Sequence, residues 1–347
     1  MARALYIHWP FCIAKCPYCD FNSHVRKTAD TEQWRDALLA DMHHEHLQAN
    51  SEEPLTSIFF GGGTPSLMPP ALVADLLEEA EHLWGFAHDI EITLEANPSS
   101  VEAANFADLA AAGVNRVSLG VQSLHDEALR FLGRLHGADE ALQAVAVAQD
   151  RFERVSIDLI YARPGQSEAD WHAELARALS LGTTHMSLYQ LTIEPSTRFA
   201  TDVRQGVFEP LDDDNAADLF ALTRAMTAAA GLPAYEVSNH AAPGQESRHN
   251  LTYWRYQDYL GIGPGAHGRR CETATVRHRK PENYLAAVAA QRHGVAEARA
   301  LERAEQASEA LLMGLRLAEG VDLADLARRF GGNPAALIDQ AKAQFYL

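Results

Sequence analysis

The 347-residue sequence has few cysteines, a shortage of positive charge and no long apolar run. Its 29 lysines and arginines are outnumbered by 47 aspartates and glutamates, which gives a net charge of −18. Binding to nucleic acid without sequence preference needs cations that displace counterions from phosphates, so this balance argues against a nucleic-acid partner. A transmembrane helix needs about 18 consecutive apolar residues, and the chain contains no such run.

The four cysteines are too few and too unevenly spaced for the disulfide scaffold of a small secreted protein. Three of them are Cys12, Cys16 and Cys19, and the fourth is Cys271. The N-terminus shows no cleavage site of a signal peptide. Since 47% of the residues are hydrophobic, the chain can bury a core without cross-links, and we expect a cytoplasmic protein.

Apolar runs rich in strand-forming residues alternate with helical patterns, which predicts βα units and a parallel sheet. The six predicted strands are Leu5 to His8, Ser57 to Phe60, Ile90 to Glu95, Arg116 to Val121, Val155 to Tyr161 and His185 to Leu191. Helices are predicted at 31–48, 70–83, 101–112, 138–150, 168–181 and 212–230. Both an open doubly wound sheet and a barrel are compatible with this alternation.

Polar residues at or near the carboxyl ends of several predicted strands favour the barrel. These residues are Gly61 to Thr64, Glu95, Gln122 and Asp158. Barrel enzymes place their chemistry at this end of the strands, whereas a dinucleotide fold would carry a G-x-G-x-x-G motif in its first βα turn, and none is present there. We therefore predict an α/β fold with a partial, TIM-like (β/α)6 barrel over residues 1–235.

The pattern changes after residue 235. The segment from Tyr235 to Arg270 is rich in Gly, Pro, His and Tyr, which predicts loops with short strands. Helices are predicted at 281–293 and 299–318, followed by two more on either side of a Gly-Gly-Asn-Pro turn. We expect a smaller mixed or helical domain over residues 236–347.

The cysteines at positions 12, 16 and 19 follow directly after the first predicted strand, with the spacing C-x3-C-x2-C. Three thiolates on one short loop can ligate three irons of a [4Fe-4S] cluster and leave the fourth iron without a protein ligand. The alternative is a structural zinc site, which needs a fourth ligand. The candidates for that ligand are His8, His24 and Asp20.

With Tyr18 before its last cysteine, this spacing resembles the signature of radical S-adenosylmethionine (SAM) enzymes. The segments YIHWPFC, FFGGGTPS, LEANPS, SLGVQS, LGRLH and IDLIY follow in order and are similar to those of the oxygen-independent coproporphyrinogen III oxidase group. The resemblance implies a radical SAM barrel whose open iron binds the amino and carboxylate groups of SAM. It also implies an electron donor, because the reduced cluster breaks the sulfonium bond of SAM.

The resemblance also implies the roles of individual residues. Contacts to the cluster-bound SAM are implied for Tyr6, Gly62 and Glu95. Contacts to a second SAM are implied for Tyr18, Gly63, Thr64, Gln122, Arg134 and Asp158. No catalytic residue is assigned. Taken singly, these residues have structural alternatives, namely a tight turn for the glycines, ion pairing for the carboxylates and a solvated helix face for the arginine.

Two features separate branches of this group. The oxidase branch has a fourth cysteine where this chain has Phe21, which argues against decarboxylating activity. The segment from His249 to Trp254 resembles the H-N-x-x-Y-W motif of the haem-chaperone branch, HemW. Histidine is a common axial ligand of haem iron, and aromatic rings pack on porphyrin faces. The alternative for His249 is a packed aromatic corner in which it hydrogen-bonds to the backbone.

We therefore expect a haem chaperone that binds a [4Fe-4S] cluster, SAM and one haem, and transfers the haem to an acceptor protein. The alternative is an oxygen-independent coproporphyrinogen III oxidase of porphyrin biosynthesis. Whether the protein is an enzyme, and whether it forms a homodimer, is left open. Because the resembling proteins continue past the position of Leu347, we also expect the end of the C-terminal domain to be missing from this chain.

Overall fold

The computed structural model describes residues 3–26, 28–49 and 53–331. Its strands are β1 (Ala4–Trp9), β2 (Phe11–Cys12), β3 (His24–Val25), β4 (Leu55–Gly62), β5 (Phe86–Ala96), β6 (Arg116–Gln122), β7 (Arg154–Tyr161), β8 (His185–Gln190), β9 (Asn239–Ala241), β10 (Leu260–Ile262), β11 (His267–Arg270), β12 (Thr273–Arg277) and β13 (Val295–Ala300). Its α-helices are α1 (Thr31–Ala49), α2 (Pro70–Trp84), α3 (Ser100–Ala103), α4 (Phe106–Ala111), α5 (Asp126–Phe131), α6 (Ala138–Arg151), α7 (Glu168–Leu179), α8 (Arg198–Arg204), α9 (Asp213–Ala229), α10 (Arg248–Trp254), α11 (Pro281–Gln291), α12 (Arg303–Gly314) and α13 (Leu323–Phe330), and a 3₁₀ turn spans Pro65–Leu67. In the described part of the chain, none of the helices combines the length and apolar character that a membrane span requires.

One large sheet dominates the fold, with eight strands in the order β10-β1-β4-β5-β6-β7-β8-β9. The six predicted strands are its central ones, and each pairs in parallel with its neighbour. Parallel neighbours need long crossovers, which the intervening helices supply. The outer strands do not pair with each other within the described residues, so the barrel is open. The predicted α/β class with a partial parallel barrel is confirmed.

The edges of this sheet come from the segment that the sequence marks as irregular. Strand β10 adds in parallel to β1, and β9 adds antiparallel to β8. These strands are close in the sequence but lie at opposite edges, so the segment between them crosses the open side and carries α10. The domain boundary at residue 235 stays a prediction. Strands β9 and β10 lie after this residue and form the two edges of the large sheet.

The core lies between the sheet and its helices. On α2, Leu72, Val73 and Leu76 are almost fully buried, at the three- and four-residue spacing of a helix face that packs on the sheet. Pro70 occupies the first turn of α2, where its missing N–H costs no hydrogen bond. Helix α7 begins with a capping box at Ser167. These local signals explain why the helix starts agree with the sequence pattern.

Three predicted elements differ from the structure. The predicted helix at 101–112 is split into α3 and α4. The predicted helix at 299–318 begins only at Arg303, because residues 295–300 pair with β12 as β13, and strand pairing outweighs local helix propensity. The segment with the H-N-x-x-Y-W motif is helical, as α10, and is capped by the Ser247 side chain. The last predicted helix and the expected ending at Leu347 lie outside the described residues.

A buried acid on α1 fastens the C-terminal segment to the barrel. The carboxylate of Asp41 accepts hydrogen bonds from Gly263 N, Gly294 N and the Tyr284 hydroxyl, at 3.3, 3.1 and 2.9 Å. The fully buried guanidinium of Arg277 lies 3.4 Å from the same carboxylate. Asp41 thus satisfies four donors, all of them far away in the sequence.

We expect Asp41→Ala to lower the free energy of unfolding by about 3–5 kcal/mol, because it removes one partner of a buried ion pair. It also leaves two backbone amides without an acceptor. Asp36→Ala, at an exposed position of the same helix, is the control and should change stability by no more than about 0.5 kcal/mol. Denaturant unfolding of both variants checks this, and equal effects would contradict it.

Candidate functional site

The three clustered cysteines lie on a closed loop at the carboxyl end of β1. Strand β2, which includes Cys12, pairs with β3 and so brings the two ends of the loop together. Within the loop, the Cys19 amide donates a hydrogen bond of 3.2 Å to the Cys16 carbonyl, which forms a turn. All three thiols are free and partly buried. The loop therefore holds them in one place without a disulfide.

We call the cavity beside this loop the cysteine pocket. It lies at the carboxyl ends of the central strands, and all but two of the predicted site residues line it. Those that line it are Cys12, Cys16, Cys19, Tyr18, Gly62, Gly63, Thr64, Glu95, Gln122, Arg134 and Asp158. Their convergence follows from the parallel sheet, in which the carboxyl ends of all strands face the same side.

Each cysteine sulfur has a polar hydrogen-bonding neighbour. The pairs are Thr64 Oγ1 with Cys12, Arg134 Nη1 with Cys16 and Ser23 Oγ with Cys19, at 3.4, 3.4 and 3.8 Å. Burial raises the pKa of the Cys12 and Cys19 thiols. Their thiolate forms therefore need a positive partner, and bound iron would supply one. Hydrogen bonds to the sulfurs also tune the potential of an iron–sulfur cluster.

The candidate ligands of the zinc alternative are not grouped around one centre. Within residues 3–26, 28–49 and 53–331, no three His, Cys, Asp or Glu side chains are grouped closely enough to hold one metal ion. Zinc needs four such ligands around one centre, whereas thiolates on three different irons lie farther apart. His8 is also unavailable, because its Nδ1 is 2.9 Å from the Tyr6 hydroxyl and its Nε2 is 2.9 Å from the Asn22 carbonyl.

The glycines at the end of β4 allow this strand to lie against the cysteine loop. Gly62 has a φ of +117°, and a Cβ atom there would lie 2.6 Å from the His8 ring. At Gly63, a Cβ atom would lie 2.6 Å from the Phe11 carbonyl oxygen. The Gly63 amide instead donates to the Trp9 carbonyl at 2.7 Å. Only glycine permits this approach of two backbones.

Two buried carboxyl groups face the cysteine pocket, Glu95 on β5 and Asp158 on β7. Burial, with a smaller effect of Asp158, raises the pKa of Glu95 to about 8. Burial also raises the pKa of Asp158. Glu95 accepts a hydrogen bond from Gly62 N at 3.2 Å, and Asp158 accepts one from the Ser118 hydroxyl at 3.1 Å. Neither carboxyl group forms an ion pair among the described residues, although the charges of Arg116 and Arg134 act on Asp158. Such a pair suits a positively charged ligand, and SAM carries both a sulfonium and an ammonium group.

Arg134 brings a positive charge to the side of Cys16. Its Nη1 lies 3.5 Å from the Tyr18 hydroxyl, and its Nη2 donates to the Gly120 carbonyl at 3.0 Å. Although burial alone would lower it, Tyr18 and Cys16 hold the pKa of Arg134 above its usual value. Gln122 has a φ of +67°, and the pairing of β6 with β7 is irregular there. Such strain at a non-glycine residue is typical of functional sites.

Tyr6, one of the two remaining predicted residues, lines a second cavity, which we call the tyrosine pocket. Its lining residues are Tyr6, His8, Phe21, Asn22, Gly62, Glu95, Tyr253, Tyr259, Gly265, His267 and Arg279. Phe21, Gly62 and Glu95 belong to both pockets, so the two cavities adjoin. Tyr6 therefore lies in a cavity that borders the cysteine pocket.

His249 lies in the barrel interior, outside both pockets. Its Nδ1 is 3.2 Å from the Ser57 hydroxyl and its Nε2 is 2.5 Å from the Tyr253 hydroxyl. The ring stacks on Phe59, and burial lowers the pKa of His249 to about 3. His249 thus occupies an aromatic corner, as the structural alternative from the sequence proposes. Its ring nitrogens, however, are bonded to side chains and not to the backbone. Its role as a haem ligand stays a prediction.

Asn22 is a structural residue of the site that the sequence did not single out. Its side-chain amide donates to the Pro264 carbonyl at 2.8 Å and to the Arg279 carbonyl at 2.9 Å. A Cβ atom on Gly265 would lie 2.5 Å from this amide. For the glycine-rich segment the sequence predicts only loops with short strands. Its contact with Asn22 was not predictable, because the two are about 240 positions apart.

The comparisons with known proteins agree with this geometry. The model of the radical SAM superfamily matches residues 6–178, and that of the HemN C-terminal domain matches residues 301–346. The Escherichia coli haem chaperone HemW is 45% identical over 268 residues, which cover 77% of this chain and 70% of that protein. The bovine mitochondrial radical S-adenosyl methionine domain-containing protein 1 is 40% identical over 327 residues, or 92% of this chain and 74% of that protein. In fold, the chain is similar to the solved structure of E. coli coproporphyrinogen III oxidase (HemN), with a TM-score of 0.81, 22% identity and coverage of 96% of this chain and 80% of that one.

We expect Cys12→Ala, Cys16→Ala and Cys19→Ala each to abolish the broad absorbance at about 400 nm that thiolate-bound iron–sulfur clusters show. Each variant lacks one of the three sulfurs on the loop. Cys271→Ala is the control, because its sulfur lies against the Ala49 carbonyl, away from the pocket. The measurement is the spectrum after anaerobic reconstitution. An intact cluster in any of the three variants, or loss of a single zinc ion instead, would contradict this ligand set.

We expect Glu95→Gln to change how stability depends on pH. Since the pKa of Glu95 rises from 4.5 to about 8 on folding, the folded state binds this proton more tightly than the unfolded state. Stability of the unsubstituted protein should therefore fall as pH rises from about 4.5 to 8. From pH 4.5 to pH 8 the stability of the variant relative to the unsubstituted protein should rise by on the order of 4 kcal/mol.

Urea unfolding without added SAM at the two ends of this pH range measures the difference. Glu81→Gln, at an exposed position of α2, is the control and should follow the pH profile of the unsubstituted protein. Parallel profiles for Glu95→Gln and the unsubstituted protein would show that Glu95 does not hold a proton in the folded state.

Proposed function

The chain belongs to the radical SAM superfamily, in the group that includes HemN and HemW, and on this premise we propose that it is a haem chaperone. It would bind one haem and transfer it to an acceptor protein. Membership of the superfamily implies a [4Fe-4S] cluster and SAM, and the HemW name of a relative at 45% identity supports haem as the cargo.

The main observation that supports this proposal is the position of Phe21. The side chain is 62% exposed and lines both pockets. The oxidase branch would have a cysteine at this position, so this chain has an apolar ring in place of a fourth thiol. Exposed apolar side chains beside a cavity are typical of binding sites, and an aromatic ring suits the flat, apolar face of a porphyrin.

Two more exposed apolar side chains, Ile13 and Leu135, line the cysteine pocket together with Phe21, and we call these three side chains the apolar rim. Ile13 is 53% and Leu135 is 74% exposed, and both line the cysteine pocket. Exposed apolar side chains grouped at the mouth of a cavity are typical of interaction sites. We infer that this rim contacts haem or the acceptor protein during transfer.

The chain's own residues would hold the cofactors in fixed places. Cys12, Cys16 and Cys19 would ligate the cluster, which with SAM supplies one-electron chemistry when bound. Glu95 and Asp158 would meet the positive groups of SAM. Tyr6, Tyr18, Gly62, Gly63 and Gln122 would complete the contacts to one or two SAM molecules. Thr64 and Arg134 already contact cysteine sulfurs and would support the cluster whether one SAM binds or two.

The partners and the compartment remain part of the proposal. A haem-acceptor protein and an electron donor for the cluster would be needed, and homodimerisation is left open. We propose the cytoplasm as the compartment, although the name of the bovine relative places that protein in mitochondria. We also propose the division into a barrel at 1–235 and a C-terminal domain at 236–347.

We expect the anaerobically reconstituted chain to bind haem in a spectroscopic titration and to transfer it to a haem-free acceptor protein. With SAM and a reductant, the same preparation should not convert coproporphyrinogen III to protoporphyrinogen IX. Conversion would establish the oxidase alternative, and a chain that binds no haem would rule out the chaperone.

Phe21→Ala tests, in the same haem titration, whether the Phe21 side chain contacts haem. Loss of the contact of one aromatic side chain corresponds to about 1.5–3 kcal/mol, or roughly tenfold or more in haem affinity. Val207→Ala is the matched control, because Val207 is 66% exposed and lines neither pocket. Equal affinities of the two variants would remove the support that Phe21 gives.

A further inference from the structure

The tyrosine pocket has the composition of a site for a flat metal complex with acidic groups. It has a volume of about 410 Å³, within the range of about 300–1,000 Å³ that is usual for small-molecule sites. Its walls carry the rings of Phe21, Tyr253 and Tyr259, together with the imidazole of His267 and the guanidinium of Arg279. Aromatic walls, the imidazoles of His8 and His267 and one cation match the three parts of haem, which are its ring, its iron and its propionates.

His267 is the first residue of β11, and its side chain is exposed. No described residue forms a hydrogen bond with its ring. Burial of part of the ring and the charges of Arg279 and Arg277 lower the pKa of His267. Both ring nitrogens are free of partners among the described residues, and an imidazole nitrogen without a partner can ligate a metal ion.

Two histidines near His267 have both ring nitrogens engaged. His8 lines the same pocket, but both of its ring nitrogens are occupied by Tyr6 and by the Asn22 carbonyl. His249 lies below the pocket and has both nitrogens bonded, one of them to Tyr253. A haem that used either of them would have to break these buried contacts.

The hydrogen bond between His249 and Tyr253 indicates that His249 positions the pocket wall and does not ligate the iron. Its Nε2 lies 2.5 Å from the Tyr253 hydroxyl, and the Tyr253 ring meets Tyr259 edge to face, with 4.4 Å between the centroids. His249 therefore fixes the wall of the pocket from below. It is a positioning residue, because it acts through Tyr253.

Close backbone packing fixes the position of His267. A Cβ atom on Gly261 of β10 would lie 1.9 Å from the His267 carbonyl oxygen, so β10 and the start of β11 pack without space for a side chain. Gly263 also lies close to the backbone of His8 in β1, where a Cβ atom would be 2.4 Å from the His8 carbonyl oxygen. The imidazole thus projects from a rigid part of the fold, as a metal ligand requires.

Arg279 supplies the charge at the rim. Its side chain is exposed, and no ion pair with it is found among the described residues. Its backbone carbonyl accepts a hydrogen bond from Asn22 at 2.9 Å, which holds this part of the chain against the cysteine loop. A free guanidinium at this place suits a carboxylate of the ligand.

We propose that the tyrosine pocket is the haem site, with His267 as the axial ligand of the iron, Tyr253 and Tyr259 against the porphyrin, and Arg279 on a propionate. The identity of the ligand rests on the proposed function, whereas the ligating residue rests on the geometry of the pocket. Because both pockets share Phe21 and Glu95, the haem would lie next to the cluster and SAM.

The test is a titration of the full, cluster-reconstituted chain with ferric haem, followed by absorbance and electron paramagnetic resonance. His267→Ala should lose the signature of histidine ligation and bind haem about tenfold or more weakly. Added imidazole should restore the signature, because the pocket remains. His172→Ala is the matched control, since His172 is exposed on α7 and lines neither pocket.

Two further variants separate the roles. His249→Phe should keep the signature of histidine ligation, while its affinity for haem falls. Arg279→Gln should also lower the affinity for haem, and this loss should be larger at low salt than at high salt, because salt screens the attraction between the guanidinium and a propionate. Circular dichroism and the cluster absorbance show whether each variant folds, and His267→Gln replaces His267→Ala if the latter does not.

The outcomes are distinct. If His249→Phe loses the signature and His267→Ala keeps it, His267 is not the ligand, while the proposed haem chaperone stands. If the unsubstituted chain binds no haem at all, the proposed function fails first, and the haem site fails with it. Loss of the signature in His267→Ala with rescue by imidazole supports the proposal.

Discussion

The structure depends on one constraint, which is the close approach of two chain segments to the cysteine loop. The end of β4 packs against it through Gly63, and the glycine-rich segment after β10 packs against it through Gly265 and Asn22. Neither contact leaves room for a Cβ atom. The loop that carries the three thiols is thus held from two sides, by backbone contacts at Gly63 and by the side chain of Asn22.

Charge is distributed around this loop in a way that the overall composition hides. The chain is strongly acidic, yet the cysteine pocket combines buried thiols and carboxyl groups whose pKa values are raised by burial. Groups of this kind are costly to ionise without cations. Iron and the positive groups of SAM supply such cations, and Arg134 contributes one from the chain itself. The site is therefore electrostatically complementary to the cofactors that the superfamily membership implies.

Much of the barrel could be predicted from the sequence, because parallel strands that are buried on both faces read as apolar runs and their helices have a clear period. The predicted strand from Val155 to Tyr161 agrees with β7 to within one residue. Strand β13 was missed, because pairing with β12 outweighs a helical pattern. The edge strands β9 and β10 are short, and nothing local in three residues reveals which edge of the sheet they join.

The sequence by itself determined the chemistry, since the spacing of Cys12, Cys16 and Cys19 places three sulfurs on one loop, and the order of the motifs determined the family. Only the tertiary structure decided which histidine is accessible. His249 has a motif around it, but α10 buries it with both nitrogens bonded, while His267 is left exposed beside Tyr253 and Tyr259. Accessibility depends on contacts between distant segments, and no local pattern encodes them.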